Sequence, residues 1–176
     1  MQSELRNQID GDVRAQLLLM IAAGVNVSLS IDSTALGSVS MFDSMSLAWY
    51  MGIPWNGTST EKLPFLDFRR CLEMGTINGA KALGLAGKTG SLTPGKRADI
   101  IMIRATDLNM VPLGEIECAI VRSATVANVD TVIADGRILK RGGKLLSVDL
   151  EKVKREANES LVDILSRAGG NNAAKN

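Results

Sequence analysis

Histidine is absent from this sequence of 176 residues. Imidazole is the usual nitrogen ligand of catalytic zinc or iron, so the chain by itself holds too few ligands for such a metal. The two cysteines, Cys71 and Cys118, lie too far apart in the sequence to replace the missing imidazoles. We interpret them as reduced, buried thiols and not as a disulfide or a metal pair.

Aromatic residues and an excess of one charge are also lacking. Aromatics make up 3% of the chain, and 20 Lys and Arg residues face 19 Asp and Glu residues. Without a basic run or a platform for base stacking, we expect no nucleic-acid partner. The longest apolar run, near residues 17 to 25, is too short for a membrane span, and the first residues lack the pattern of a signal peptide. These features predict a globular, cytoplasmic protein without membrane contact.

Capping and turn residues predict the helices of the first half. The spacing predicts a helix from Arg14 to Ala23 that Gly24 ends, and a second helix opened by a Ser40–Asp43 capping box. The capping role makes Asp43 a structural residue. Pro64 suits the first turn of a third helix, which we predict to run to Met74.

Residues 25 to 32 alternate strictly between apolar and polar side chains, which is typical of a strand. Asp32 ends this strand on the polar face. In a barrel of parallel strands the polar face turns inward near the carboxyl end, where catalytic groups lie. The alternative is that Asp32 only caps the turn that follows with Ser33 and Thr34.

The stretch after the third helix predicts a passage from helix to sheet. Thr76 is placed to cap a short helix that Gly84 ends, and Pro94-Gly95 predicts a type II turn. The apolar run Asp99 to Ile103 then predicts a strand covered on both sides.

The last third of the sequence predicts a small sheet and a helix. Short strands are expected at 117–123, 130–134 and 137–140, with Asp135-Gly136 as a two-residue hairpin turn. Asp149 is placed to cap a last helix that reaches about Arg167. The apolar stripe of this helix comprises Leu150, Val153, Ala157, Leu161 and Ile164.

Three segments together resemble the amidohydrolase superfamily, in the branch of cytosine deaminases, chlorohydrolases and adenosine-type deaminases. The segments read MGTINGAKALGL, GSLTPGKRADIIMI and ANVDTVIADGRILKRGGKLL. The resemblance covers roughly residues 13 to 165. It implies an α/β fold: the last strand and helices of a metal-dependent-hydrolase TIM barrel, part of a small β-sandwich, and a C-terminal helix. The expected divisions are barrel portion 1–88, partial β-sandwich 89–147, helix 148–168 packing back, and disordered tail 169–176.

The resemblance also implies a role for one residue. VSLSIDST resembles the family's eighth barrel strand, whose aspartate binds the metal and accepts a proton from the attacking water. Asp32 stands at that position and is the one catalytic and metal-binding residue predicted here. The family commonly has Gly-Thr-Asp there, whereas this chain has Ser30-Ile31-Asp32, so the substrate is left open. Trp55, in a loop on the side where barrel sites open, either contacts substrate or pins the loop to the body.

In the family the histidine ligands lie on earlier barrel strands, which would precede Met1. The resemblance therefore implies a divalent metal, zinc or iron, in the complete enzyme and none bound to this chain alone. We expect the carboxyl-terminal part of a hydrolase that cleaves C–N or C–Cl bonds of a small, ring-containing substrate with metal-activated water, and is inactive alone. The alternatives are a non-catalytic fragment that self-associates into a homo-oligomer, and one half of a split hydrolase completed by an N-terminal polypeptide that carries the histidines.

Overall fold

The computed structural model of the chain describes residues 12–31, 38–53 and 65–168. The chain divides into two compact units, Met1–Lys144 and Leu145–Asn176. The helices are α1 (Asp12–Ala22), α2 (Met41–Met51), α3 (Phe68–Met74), α4 (Ile77–Ala82), α5 (Ile116–Arg122) and α6 (Leu150–Arg167). The strands are β1 (Ile100–Ile103), β2 (Val129–Ala134), β3 (Arg137–Arg141) and β4 (Lys144–Leu145), with 3-10 turns at Leu108–Met110 and Val126–Asn128. Within the described ranges, every helix is too short or too polar to cross a bilayer.

Helix α1 ends as the sequence predicts. Gly24 has a φ of +75°, a left-handed conformation that glycine adopts at little cost. Its N–H donates to the Ile21 carbonyl at 3.1 Å, and the Val25 N–H donates to the Met20 carbonyl at 2.9 Å. This pair of bonds is a Schellman motif, which satisfies the last carbonyls of the helix and turns the chain into the segment that follows.

Helices α2 and α3 both begin at a side-chain cap. The Ser40 hydroxyl accepts the Asp43 N–H at 3.5 Å, which confirms the predicted start of α2. The Asp67 carboxylate accepts the Arg70 N–H at 2.7 Å, so α3 begins at Phe68. The prediction that this helix starts at Pro64 was wrong about its beginning, because the Asp67 cap fixes the first turn further along the chain.

The link between α3 and α4 differs from the prediction in one bond. Thr76 precedes α4, but its side chain does not cap that helix. Its hydroxyl instead donates to the Leu72 carbonyl at 2.6 Å, a bond to the preceding helix. Gly84, with a φ of +69°, follows the helix as predicted.

The core of the first unit lies where α2, α3 and α5 pack together. Leu66, Cys71 and Val121 are its most completely buried side chains. The other buried members of the cluster are Leu18, Phe42, Met45, Ala48, Met74, Met110, Ala124 and Val129. Residues before α3 and residues after β1 therefore share one apolar core.

Helix α5 replaces the strand predicted at 117–123. A short apolar run such as this one fits a buried strand or a buried helix turn equally well. In the structure the run forms a helix, in which Val121 is 1% exposed and which packs against α2 and α3. Cys118 accordingly lies in a helix and not in a strand.

The sheet is antiparallel, with strand order β1-β2-β3-β4. Asp135 and Gly136 connect β2 and β3 with φ values of +49° and +77°, which confirms the predicted two-residue hairpin. Gly95 has a φ of +90°, and the Lys96 N–H donates to the Thr93 carbonyl at 3.2 Å, which confirms the predicted turn before β1.

Strand β1 was predicted to be covered on both sides, and this was wrong for the described part of the chain. Ile101 and Met102, which point to opposite faces, are 52% and 56% exposed. The reason is topological: β1 is an edge strand that pairs only with β2 within the sheet. A continuous apolar run thus remains partly open to solvent here.

The second unit is essentially one amphipathic helix. The Asp149 carboxylate accepts the Lys152 N–H at 3.0 Å, which confirms the predicted cap of α6. Ion pairs run along its polar side, as between Lys152 and Glu156 at 3.7 Å. The packing of this helix on the rest of the chain stays a prediction, and the predicted tail 169–176 lies outside the described residues.

Gly90 is required by a close approach, and not only for flexibility. A Cβ atom at this position would lie 2.7 Å from the Ala80 Cβ and 3.0 Å from the Ile77 Cα, and Gly90 has a φ of +87°. Gly84 shares the positive φ, but a Cβ there would have no neighbour within 4 Å. Substitution of Gly84 therefore tests the cost of the left-handed backbone alone, whereas substitution of Gly90 adds a steric clash.

We expect Gly90→Ala to lower the free energy of unfolding by about 3 kcal/mol, because the methyl group clashes with α4 and the left-handed backbone is strained. Gly84→Ala, the matched control, should cost about 1 kcal/mol from the backbone alone. Urea unfolding of the 176-residue chain followed by circular dichroism measures both. Equal costs for the two variants would contradict the close packing of Gly90.

Candidate functional site

The segment Val25–Ile31 leads directly into Asp32. It has no regular secondary structure, so the predicted strand is not formed within the described residues. A strand needs a hydrogen-bonded neighbour, and none of the strands of the sheet pairs with this segment. The alternation nevertheless persists in the burial, because Val27, Leu29 and Ile31 are half-buried while the polar residues between them are exposed.

The segment is held by the end of α3 and by α4. The Leu29 N–H donates to the carbonyl of Met74 at 3.0 Å. The Asn78 side-chain amide donates to the Val27 carbonyl at 3.0 Å, and the Asn26 amide donates to the Asn78 carbonyl at 3.0 Å. These bonds join positions about 50 residues apart, and no motif in the sequence marks them.

Asp43 is a structural residue, as predicted, but the capping box is only half formed, because the Ser40 N–H donates to the Ser38 hydroxyl at 3.1 Å and not to Asp43. Its carboxylate accepts a hydrogen bond from the Ser38 hydroxyl, while its N–H is bound by Ser40. Both interactions stabilise the start of α2.

The predicted site residues Asp32 and Trp55 lie outside the described residues. The structure therefore leaves their predicted roles untested. Among residues 12–31, 38–53 and 65–168, no three Cys, Asp or Glu side chains lie close enough together to hold a metal ion. The described part of the chain does not itself fit the metal that the family resemblance implies.

The two cysteines are free thiols. Burial raises the pKa of Cys71 to about 12, and the nearby Asp67 carboxylate contributes in the same direction. Cys71 is therefore protonated at neutral pH and acts as a small apolar side chain. Cys118 is half-buried in α5.

A polar network that no motif in the sequence predicts is centred on Asn128, which is 2% exposed. Its side-chain oxygen accepts from the Thr125 N–H at 2.8 Å and from the Asn109 amide at 2.9 Å. Its side-chain nitrogen donates to the Asp107 carboxylate at 2.8 Å and to the Asn109 oxygen at 3.0 Å. A buried amide with both its donor and its acceptor satisfied is a stable structural element.

Arg104 extends this network to the sheet. Its guanidinium pairs with Asp107 at 3.1 Å and with Asp130 at 3.5 Å, and it donates to the Ala127 carbonyl at 2.9 Å. These hydrogen bonds and charges hold the pKa of Asp107 below its usual range. The pKa of Asp130 is lowered as well, first by the Thr131 hydroxyl. The network fixes the loop after β1 against the start of β2.

Asp99 ties the turn before β1 to the hairpin. Its carboxylate accepts from the Thr89 hydroxyl at 2.6 Å and from the Asp135 N–H at 2.7 Å. Both bonds lower the pKa of Asp99. Arg97 pairs with the Asp135 carboxylate at 3.2 Å on the surface. The charged residues of this turn thus serve the local structure.

Comparison with known proteins places the chain among related enzymes. Residues 4–139 match the family model described as "Amidohydrolase family". The 5-methylthioadenosine/S-adenosylhomocysteine deaminase of Acetivibrio thermocellus is 37% identical over 80% of this chain and 32% of its own length. The 5'-deoxyadenosine deaminase of Methanosarcina acetivorans is 34% identical over 88% of this chain and 34% of its own length. The chain thus spans about a third of the length of the curated relatives it matches.

Solved structures show the same fold. A zinc-bound adenosine deaminase from Xanthomonas campestris superposes with a TM-score of 0.77 at 23% identity, over 85% of this chain and 33% of that one. Atrazine chlorohydrolase from Arthrobacter aurescens, also with zinc, gives a TM-score of 0.70 at 23% identity, over 81% of this chain and 31% of that one. The mixed helix-and-sheet fold of this chain therefore matches about a third of each of these structures, while the finer division into barrel and sandwich portions stays a prediction.

The lowered pKa values predict loss of stability in acid. The folded chain holds Asp99, Asp107 and Asp130 with pKa values below 3.8, so the unfolded chain binds more protons. Their contribution is complete above the unfolded pKa and is lost as the pH falls through the folded values. Asp107→Asn should flatten the decline in unfolding free energy as the pH falls below about 5, since one titrating group is removed. Urea titrations at several pH values measure this slope, and an unchanged slope would contradict the role of Asp107.

Proposed function

Because the chain belongs to the amidohydrolase family, we propose that it forms the carboxyl-terminal part of a metal-dependent deaminase. The observation that carries this proposal is the similarity of the chain to deaminases of adenosine-type compounds, at 34% to 37% identity. The substrate proposed is accordingly a small molecule with an amino-substituted purine ring. The chlorohydrolase similarity concerns fold alone and supports C–Cl cleavage less.

In the proposed reaction Asp32 is the general base. Its carboxylate orients the attacking water and takes one of its protons, while the water oxygen bonds to the ring carbon that carries the amino group. The bond from that carbon to nitrogen then breaks, and the proton leaves with the departing ammonia. The alternation of apolar and polar residues from 25 to 31 in the sequence and the resemblance of VSLSIDST to the family's eighth barrel strand support this role.

The complete site needs partners for Asp32. A divalent metal, zinc or iron, would supply Lewis acidity in the complete enzyme. Since this sequence contains no histidine, any imidazole ligands must come from outside these 176 residues. We therefore propose that the chain is inactive alone and acts with a histidine-bearing amino-terminal part, either on the same polypeptide or on a separate one.

A second candidate is a non-catalytic fragment that self-associates. The exposed apolar side chains of edge strand β1, Ile101 at 52% and Met102 at 56%, favour it. An open strand edge with apolar faces can pair with a strand of another chain. The same edge also suits completion by an amino-terminal part, so the two candidates must be separated by experiment.

Asp32→Asn in the complete enzyme should lower kcat by at least about 100-fold, because the amide cannot accept the proton. Ammonia release from an adenosine-type substrate measures the activity. The matched control is Asp43→Asn, in which the amide oxygen can still accept the Ser38 hydroxyl. Asp43→Asn should keep full activity, and an active Asp32→Asn enzyme would rule out the proposed base.

The mass in solution together with metal content separates the candidates. For a split deaminase, we expect the isolated chain to be free of metal and to acquire it only with a histidine-bearing polypeptide. A metal-free homo-oligomer that recruits no metal with such a polypeptide would favour the self-associating fragment. A metal-free monomer that binds no such polypeptide would count against both the split enzyme and self-association. Light scattering and elemental analysis of the same sample provide the two readings.

A further inference from the structure

We propose that Asn26 and Asn78 form a clip that positions the proposed base Asp32. The clip consists of the two side-chain bonds that join the segment Val25–Ile31 to α4. Neither asparagine is assigned to the chemistry, and their role is to fix the height and rotation of the segment that ends at Asp32. This inference rests on the proposed function, because the clip can affect catalysis in this way only if Asp32 is the base.

The clip is reciprocal. Asn78 donates from its side chain to the Val27 carbonyl at 3.0 Å, while its backbone carbonyl accepts the Asn26 amide at 3.0 Å. Two bonds to adjacent residues fix both the position and the rotation of the segment, whereas one bond would leave the segment free to turn about it. The Leu29 N–H adds a third point, at the Met74 carbonyl.

The clip is attached to the junction between α3 and α4, which is packed on the core. Met74 is 3% exposed and belongs to the core cluster. Gly75 packs so closely on α2 that a Cβ there would lie 2.9 Å from the Met45 sulfur. The α3–α4 junction is therefore fixed by the core, and the segment inherits its position from that junction.

The amide group of Asn78 suits this task. Lys81 Nζ lies 3.4 Å from the Asn78 side-chain oxygen, which leaves the amide nitrogen to face the Val27 carbonyl. A carboxylate of the same shape would place an acceptor against that carbonyl and lose the bond. Asp32 follows Leu29 by three positions in the sequence, and we infer that a shift of the segment is passed on to it.

The test compares Asn78→Asp, Asn78→Ala and Asn26→Ala in the complete enzyme, with Asn158→Asp on exposed α6 as the control for the same chemical change. Hydrogen exchange of the peptide covering residues 25–31 should speed up about 10-fold in the Asn78 variants and remain unchanged in the control. We expect kcat to fall by about 10- to 100-fold, with KM within about 2-fold, because a small displacement of a catalytic group costs rate and not substrate binding. Asn78→Asp should be as slow as Asn78→Ala, since loss of the donor and not loss of volume is the cause.

Asp32→Asn, measured in parallel, separates the two proposals. If Asp32→Asn is inactive while the Asn78 variants keep wild-type exchange and kcat, the clip is overturned and the proposed base stands. If the Asn78 variants exchange faster while Asp32→Asn keeps its activity, the proposed base is overturned, and the clip's role in catalysis with it. Faster exchange with unchanged kcat in an enzyme that needs Asp32 would reduce the clip to a structural contact.

Discussion

The buried amide of Asn128 is the interaction on which the first unit depends. It joins the loop after β1, the residues that follow α5 and the start of β2, and every one of its polar atoms is bonded. A buried amide left without partners costs free energy, so the three parts must meet in one arrangement to satisfy it. Helix α5 also packs against α2 and α3. The Asn128 side chain therefore connects the sheet to the helical core.

Local chemistry was predictable from the sequence. Gly24, Ser40 and the Asp135-Gly136 pair were placed correctly, since a cap or a tight turn is decided by a few neighbouring residues. The errors concern choices that depend on distant residues. The run at 117–123 was expected as a strand and is a helix because the core that receives Val121 is built from α2 and α3. The burial of β1 was overestimated because its place at the edge of the sheet is a property of the topology.

In the candidate site, too, features set by neighbouring residues were predictable and those set by distant residues were not. The alternation of residues 25 to 31 is evident in the sequence and persists in the burial from Asn26 to Ile31, whereas Val25 is 52% exposed. The hydrogen-bond partners of this segment could not be predicted. Asn26 and Asn78 bond to residues about 50 positions away in the sequence, and the residue type of an asparagine does not indicate which residue it will bind. The family was recognisable from motifs, and the matched relatives extend to about three times the span covered here. The chemistry proposed for Asp32 therefore rests on the family resemblance and on the alternating polarity of the sequence that leads to it.

The contrast between the two thiols has a practical consequence. With a pKa of about 12 and a fully buried side chain, Cys71 presents neither thiolate nor access to an electrophile at neutral pH. Cys118 is only half-buried, so a maleimide dye added to the folded chain reacts there first. The protein thus carries a native attachment point for a fluorophore on α5, from which docking of another polypeptide can be followed by energy transfer without engineering a new cysteine.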